Sequence, residues 1–174
     1  ILISGFAGCG KTTLIRLLAK ELNVGFVESV GSAMSSGLSI ILPINKANGG
    51  VFFLDEIHSM ERESAEQLYS MMEDFKFCGN PIKQFTLAGA TTELGDIIKN
   101  RKPLYDRFRI ILELEPYLEQ DIKVIIEQYA IKAYNKPLTE DISTKISKNA
   151  RLTPRHAIRL FEAYFYLEDF NKVM

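Results

Sequence analysis

One string constrains this chain more than any other. Gly5-Phe6-Ala7-Gly8-Cys9-Gly10-Lys11-Thr12 is a complete G-x-x-x-x-G-K-[ST] sequence lying between an apolar run and a helical pattern. Before it, Ile1-Leu2-Ile3-Ser4 reads as a buried strand. After it, Leu14, Leu17, Leu18 and Leu22 recur at helical spacing and predict a helix over about 11–23, with the leucines as its apolar stripe. Glycines between a strand and a helix let successive backbone N–H groups turn inward around phosphate oxygens. The helix that follows aims the positive end of its dipole at the same anion. Lys11 adds a full charge for the outer phosphates, and the Thr12 hydroxyl is a hard oxygen ligand suited to Mg²⁺. The segment from Gly5 through Thr13 is therefore the candidate triphosphate site, with Cys9 as a small filler and not a reactive thiol.

A second element supplies acid. Val51-Phe52-Phe53-Leu54 predicts a buried strand, and Asp55 and Glu56 fall at its carboxyl end, the edge where open α/β sheets bind ligands. Asp55 suits Mg²⁺ held through water, and Glu56 suits a base that orients and deprotonates an attacking water. His58 extends the run to Asp-Glu-Ile-His, but a histidine at the start of a helix reads first as structural. A third element, Leu87-Ala88-Gly89-Ala90-Thr91-Thr92, is another strand ending in polar residues. If it lies between the first two, Thr92 faces the terminal phosphate or the attacking water.

Strands near 1–4, 25–30, 51–54, 85–90 and 110–114 alternate with helices near 11–23, 36–44 and 62–75, the last carrying Leu68, Met71, Met72 and Phe75. That alternation argues for a parallel sheet covered on both faces. The pattern changes after Pro116. Ile122, Ile125, Ile126, Tyr129, Ala130 and Ala133 mark one helix, Thr139 can cap a second, and Thr153 with Pro154 can open a third. The expected division is an α/β domain over 1–116 and a small helical domain over 117–174.

Composition bounds the rest. The 21 basic and 22 acidic residues leave a net charge of −1, which argues against binding driven by a large cationic surface. No apolar run approaches the roughly 18 residues that span a bilayer. Two cysteines make no disulfide framework and fit a reducing, cytoplasmic compartment. The chain enters a strand at Ile1 with no basic leader, so it reads as part of a longer protein.

Taken together these residues resemble an AAA+ ATPase, and within that class the RuvB family of hexameric Holliday-junction branch-migration motors. Phe53-Leu54-Asp55-Glu56-Ile57-His58 resembles the family's Walker B segment, and Met72-Glu73-Asp74-Phe75 the helix after it. Phe85 through Thr92 resembles the sensor-1 strand, Pro103-Leu104-Tyr105-Asp106-Arg107-Phe108 the arginine-finger segment, and Leu152-Thr153-Pro154-Arg155 the sensor-2 motif. The resemblance implies a five-stranded sheet in the order 5-1-4-3-2 with a helical lid, and ATP with Mg²⁺ as the ligands. It implies a homo-oligomeric ring in which Arg107 reaches a neighbour's γ-phosphate while Arg155 touches the phosphates of its own subunit. Branched DNA is the implied partner, gripped through regions largely outside this chain.

The sequence also departs from the family. Glu93 stands where a basic residue usually follows the Thr-Thr pair, and Tyr105 replaces an arginine. The stretch from Phe75 to Phe85 is short for the β-hairpin that docks on RuvA, which speaks against a RuvA-like partner. Two other readings use the same residues: a clamp-loader-type AAA+ subunit, and a nucleotide-dependent assembly scaffold that hydrolyses little.

Overall fold

The computed structural model describes residues 1–167. In chain order its elements are β1 (Leu2–Gly5), α1 (Lys11–Glu21), β2 (Phe26–Val30), α2 (Gly37–Ala47), β3 (Val51–Asp55), α3 (Arg62–Asp74), β4 (Lys76–Phe77), β5 (Asn80–Pro81), β6 (Thr86–Thr91), α4 (Leu94–Asn100), α5 (Lys102–Tyr105), β7 (Ile111–Leu114), α6 (Glu119–Tyr134), α7 (Glu140–Asn149) and α8 (Pro154–Leu167). Short 3₁₀ turns occupy Gly31–Ala33 and Ile57–Ser59. The chain forms two compact units. One comprises Ile1–Gly5 with Lys11–Leu114, and the other, among the described residues, comprises Phe6–Gly10 with residues 115–167. Residues 168–174 of the expected helical domain lie outside the described residues.

In the first unit five strands form one sheet in the order β7-β1-β6-β3-β2, the expected order once the small β4–β5 ribbon is set aside. Every pairing in it is parallel. The short apolar runs explain why. Each central strand places consecutive apolar residues on opposite faces, so both faces must be covered. Leu2, Phe52 and Leu87 join one buried cluster with Ile40, Ile44, Leu68 and Met71. Ile3, Phe53 and Ala88 join the other, with Ile15 and Ala19 of α1. Each fully buried Phe, Leu or Ile contributes about 1.5–3 kcal/mol.

The leucine stripe of α1 is a correction. Lys11, Ile15 and Ala19 are the buried residues of the helix. Leu14, Leu17, Leu18 and Leu22 are each at least 40% exposed. The helix carries two stripes at compatible spacing, and the one with the small Ala19 lies against the sheet. Periodicity reports that a stripe exists and not which stripe is covered.

Helix α2 begins with a reciprocal cap in which Ser39 N–H donates to Ser36 Oγ and Ser36 N–H donates to Ser39 Oγ. After it the chain packs backbone on backbone. Gly50 N–H donates to the Ala47 carbonyl and Val51 N–H to the Gly25 carbonyl. A Cβ on Gly50 would lie 2.0 Å from the Gly25 oxygen, so no side chain fits there. The β4–β5 ribbon has two-residue arms and turns at Cys78 and Gly79, both with positive φ.

The second unit packs Ile122, Ile126, Ala130, Ile146, Ala150, Ala157 and Phe161 into its own core. Ala133, expected on the buried face of α6, is exposed. Thr139 occupies the N-cap position of α7, but its side chain makes no capping hydrogen bond. Pro154 opens α8, where its missing N–H costs nothing, and the Thr153 hydroxyl turns back to donate to the Ala150 carbonyl. Tyr129 donates to Glu162 Oε1 at 2.9 Å, and Tyr134 lies 3.5 Å from the same oxygen. Burial chiefly, together with Tyr166 and Glu162, pushes the Tyr134 phenol up to about 12. No helix of the described residues is long and apolar enough to cross a membrane.

Two outcomes follow from this packing. Gly50→Ala should cost about 1–3 kcal/mol by overpacking, read as a lower urea midpoint at unchanged slope. The raised Tyr134 phenol stabilises the fold while it is protonated. That contribution is complete below the ordinary phenol value near 10 and is lost as pH rises toward about 12. Thermal unfolding followed across that window should show the midpoint falling as tyrosinate absorbance grows.

Candidate active site

The motif residues sit where β1 ends and α1 begins. Lys11 is buried at the first position of α1, and its Nζ donates to the Gly5 carbonyl at 2.8 Å. Thr12 is half-buried, while Thr13, Phe6 and Ala7 are exposed and Cys9 is buried. Gly8 and Gly10 adopt φ of +82° and +97°, a region that other residues enter only with strain. Gly8 is required on a second count, because a Cβ there would lie 2.8 Å from the Cβ of Arg155. Arg155 thus lies against the glycine loop within its own unit. Tyr117 holds the same loop, its hydroxyl donating to the Cys9 carbonyl at 3.2 Å.

Parallel pairing assembles the acidic part. β6 lies between β1 and β3, with Ser4 opposite Thr91 and Leu54 opposite Gly89. This brings the end of β6 beside the end of β3. Asp55 Oδ1 accepts the Glu56 N–H at 3.0 Å, and Thr92 Oγ1 donates to Glu56 Oε2 at 3.2 Å. Glu56 itself is left-handed, at φ 47° and ψ 49°. His58 enters the same group. Its Nδ1 lies 3.0 Å from Thr91 Oγ1 and 3.3 Å from Glu56 Oε2, and its Nε2 lies 3.6 Å from Glu93 Oε1.

Arg107 is engaged within its own chain. Its guanidinium lies 4.1 Å from the centre of the Tyr69 ring, Nη2 pairs with Glu73 Oε1 at 2.7 Å, and Nη1 donates to the Pro103 carbonyl at 2.7 Å. Its Nε is buried with no hydrogen-bond partner. Burial raises the Tyr69 phenol, and the neighbouring charge of Arg107 opposes that rise.

The structure therefore brings Asp55, Glu56 and Thr92 together at one sheet edge, and sets Arg155 against the loop glycine. It holds Arg107 on α3. Sequence reading gave His58 little weight and did not single out Tyr117 or Tyr69. A lone histidine or tyrosine carries no spacing signal. The partners of these three residues lie 33, 108 and 38 positions away, reading from His58 to Thr91, Tyr117 to Cys9 and Tyr69 to Arg107.

A parallel sheet with a glycine-rich loop running into a helix, and carboxylates at the end of a nearby strand, defines a P-loop nucleotide-binding fold. Residues 1–114 match the family described as the Holliday junction DNA helicase RuvB P-loop domain. The chain belongs to the RuvB family. It is 39% identical over 186 residues to the Holliday junction branch migration complex subunit RuvB of Phytoplasma mali, covering 99% of this chain and 54% of that protein. The corresponding subunit of Ehrlichia canis is 40% identical over 188 residues, with the same coverage. The solved structure of the Thermotoga maritima RuvB Holliday junction branch migration motor superposes with a TM-score of 0.84 at 32% identity, covering 99% of this chain and 58% of that one. The chain spans about half the length of these curated relatives.

The Tyr117 contact is open to test. Tyr117→Phe should lower the stability of the helical unit by about 0.5–1.5 kcal/mol. It should also speed hydrogen exchange of the Gly8–Gly10 amides, measured by mass spectrometry or NMR.

Proposed function

We propose that this chain is the ATP-hydrolysing core of a ring-shaped motor that drives branch migration of Holliday-junction DNA. The observation that carries the reading is the meeting of Glu56 and Thr92 at the sheet edge that also holds Asp55, in a chain whose buried Lys11 opens α1. The donor set suits Mg²⁺ arriving with a nucleotide. Among the described residues there is no cluster of three or more His, Cys, Asp or Glu that would hold a metal alone. One hydroxyl from Thr12 and one carboxylate from Asp55, acting through water, fit an ion whose other ligands are phosphate oxygens. When bound, Mg²⁺ would neutralise charge on the phosphates.

The chain's own residues would divide the remaining work. Backbone N–H groups of the glycine loop and the Lys11 ammonium hold the phosphates. Glu56 takes a proton from the attacking water as its oxygen bonds to the γ-phosphorus, and the bridging oxygen leaves on ADP with the bonding electron pair. Thr92, freed from Glu56, can donate to the γ-phosphate or the water. Arg155, against Gly8, senses whether the loop holds phosphate. Arg107 of a neighbouring copy stabilises the charge on the transferring group, which requires that it leave Tyr69 and Glu73. Oligomerisation into a hexameric ring and the grip on branched DNA belong to this reading, the latter through parts of the protein outside this chain. The two-residue arms of the β4–β5 ribbon argue against docking on a RuvA-like partner through that ribbon.

The test is a complementation experiment on the protein with its native flanks. Lys11→Ala should lose ATP binding. Glu56→Gln should keep ATP binding and lose turnover by about 10²-fold or more. Arg107→Ala should lose about 10³-fold alone, yet supply competent sites when mixed with Glu56→Gln subunits. Absence of that rescue in rings shown to be assembled would overturn an arginine acting between copies.

A further inference from the structure

We infer that His58 is a positioning residue for Glu56, held against that carboxylate by the Thr91 hydroxyl, with Glu93 on the far side of the ring. The inference rests on the reading of Glu56 as the base. The ring sits in the 3₁₀ turn after β3 with its side chain only 16% exposed, so it is held by contacts more than by solvent. Both ring nitrogens face oxygens. Nδ1 meets Glu56 Oε2 at 3.3 Å and the Thr91 hydroxyl at 3.0 Å, and Nε2 faces Glu93 Oε1 at 3.6 Å. A ring protonated on Nδ1 donates toward Oε2.

Thr91 gives this arrangement a fixed base. It is fully buried, and its Oγ1 accepts the Glu93 N–H at 2.9 Å while meeting His58 Nδ1. One hydroxyl thus ties the imidazole to the segment that carries Glu93. The Thr92 hydroxyl reaches the same carboxylate oxygen, Oε2, that His58 reaches. Two donors converging on Oε2 fix the rotation of the carboxylate and leave Oε1 as the oxygen for the water's proton. When Thr92 turns toward a phosphate, His58 remains as the donor that keeps Glu56 aimed.

Glu93 stands on the far side of the ring. Its Oε1 lies 3.6 Å from Nε2, past hydrogen-bond distance, and bounds the imidazole there. A lysine at that position would replace the carboxylate with a group that only donates. His58 touches no reacting atom in this scheme and acts only through Glu56.

Steady-state ATP turnover of the assembled full-length protein tests this, with KM and kcat measured separately and thermal midpoints recorded for each variant. His58→Ala should lower kcat on the order of tenfold to a hundredfold with KM changed little, as expected for a misaimed base. His58→Asn, whose side-chain amide can occupy the Nδ1 position, should recover most of that loss. Glu93→Lys should lower kcat in the same direction, and should add little on the His58→Ala background. The proposal is overturned if His58→Ala turns over normally. It is also overturned if the loss appears in KM instead of kcat, or if folded His58→Asn is as impaired as His58→Ala. The two readings fail separately. Glu56→Gln inactive beside a normal His58→Ala removes only the role of His58, whereas an active Glu56→Gln removes the base and the positioning role with it.

Discussion

The placement of β6 between β1 and β3 is the constraint from which the chemistry of this chain follows. Parallel pairing points every strand the same way, so their carboxyl ends share one edge. With Ser4 opposite Thr91 and Leu54 opposite Gly89, that register sets the hydroxyls of Thr91 and Thr92 beside the carboxylates that end β3. Slipping a strand by one residue would exchange its two faces. Phe52 and Phe53, both fully buried, would trade clusters, and Glu56 would lose Thr92. The apolar cores on the two sides of the sheet therefore fix the polar group at its end.

The glycines carry the same principle into the backbone. At Gly50 the chain passes so close to Gly25 that two parallel strands begin in backbone contact. At Gly8 the loop must be both left-handed and bare on the side where Arg155 lies. In each place the side chain is absent because another part of the chain occupies its position.

Much of this was legible from sequence, for identifiable reasons. The strands are runs of apolar residues bounded by glycine or by polar residues, and these signals are local. The order of the strands followed from the resemblance, since spacing alone does not tell which strand lies beside which. Helix α1 was visible, but its covered face was not, because four leucines outweigh one isoleucine and one alanine in any count while the alanine allows the closer approach. Thr139 had the right residue type for a cap, and its hydroxyl simply does not reach the helix amides. Asp55 and Glu56 were marked by their place after an apolar strand. His58, Tyr117 and the Tyr69–Glu73 seat of Arg107 were not marked, because each acquires meaning only from a neighbour brought close by tertiary packing.

The left-handed backbone at Glu56 has a consequence of its own. A residue with a Cβ at φ 47° sits in a conformation that glycine enters freely, at a cost of order 1 kcal/mol or more to the folded state. Backbone strain alone would favour glycine there, and a glycine would remove both the strain and the carboxylate. The acid end of β3 thus holds a carboxylate at an angle that glycine would occupy without strain.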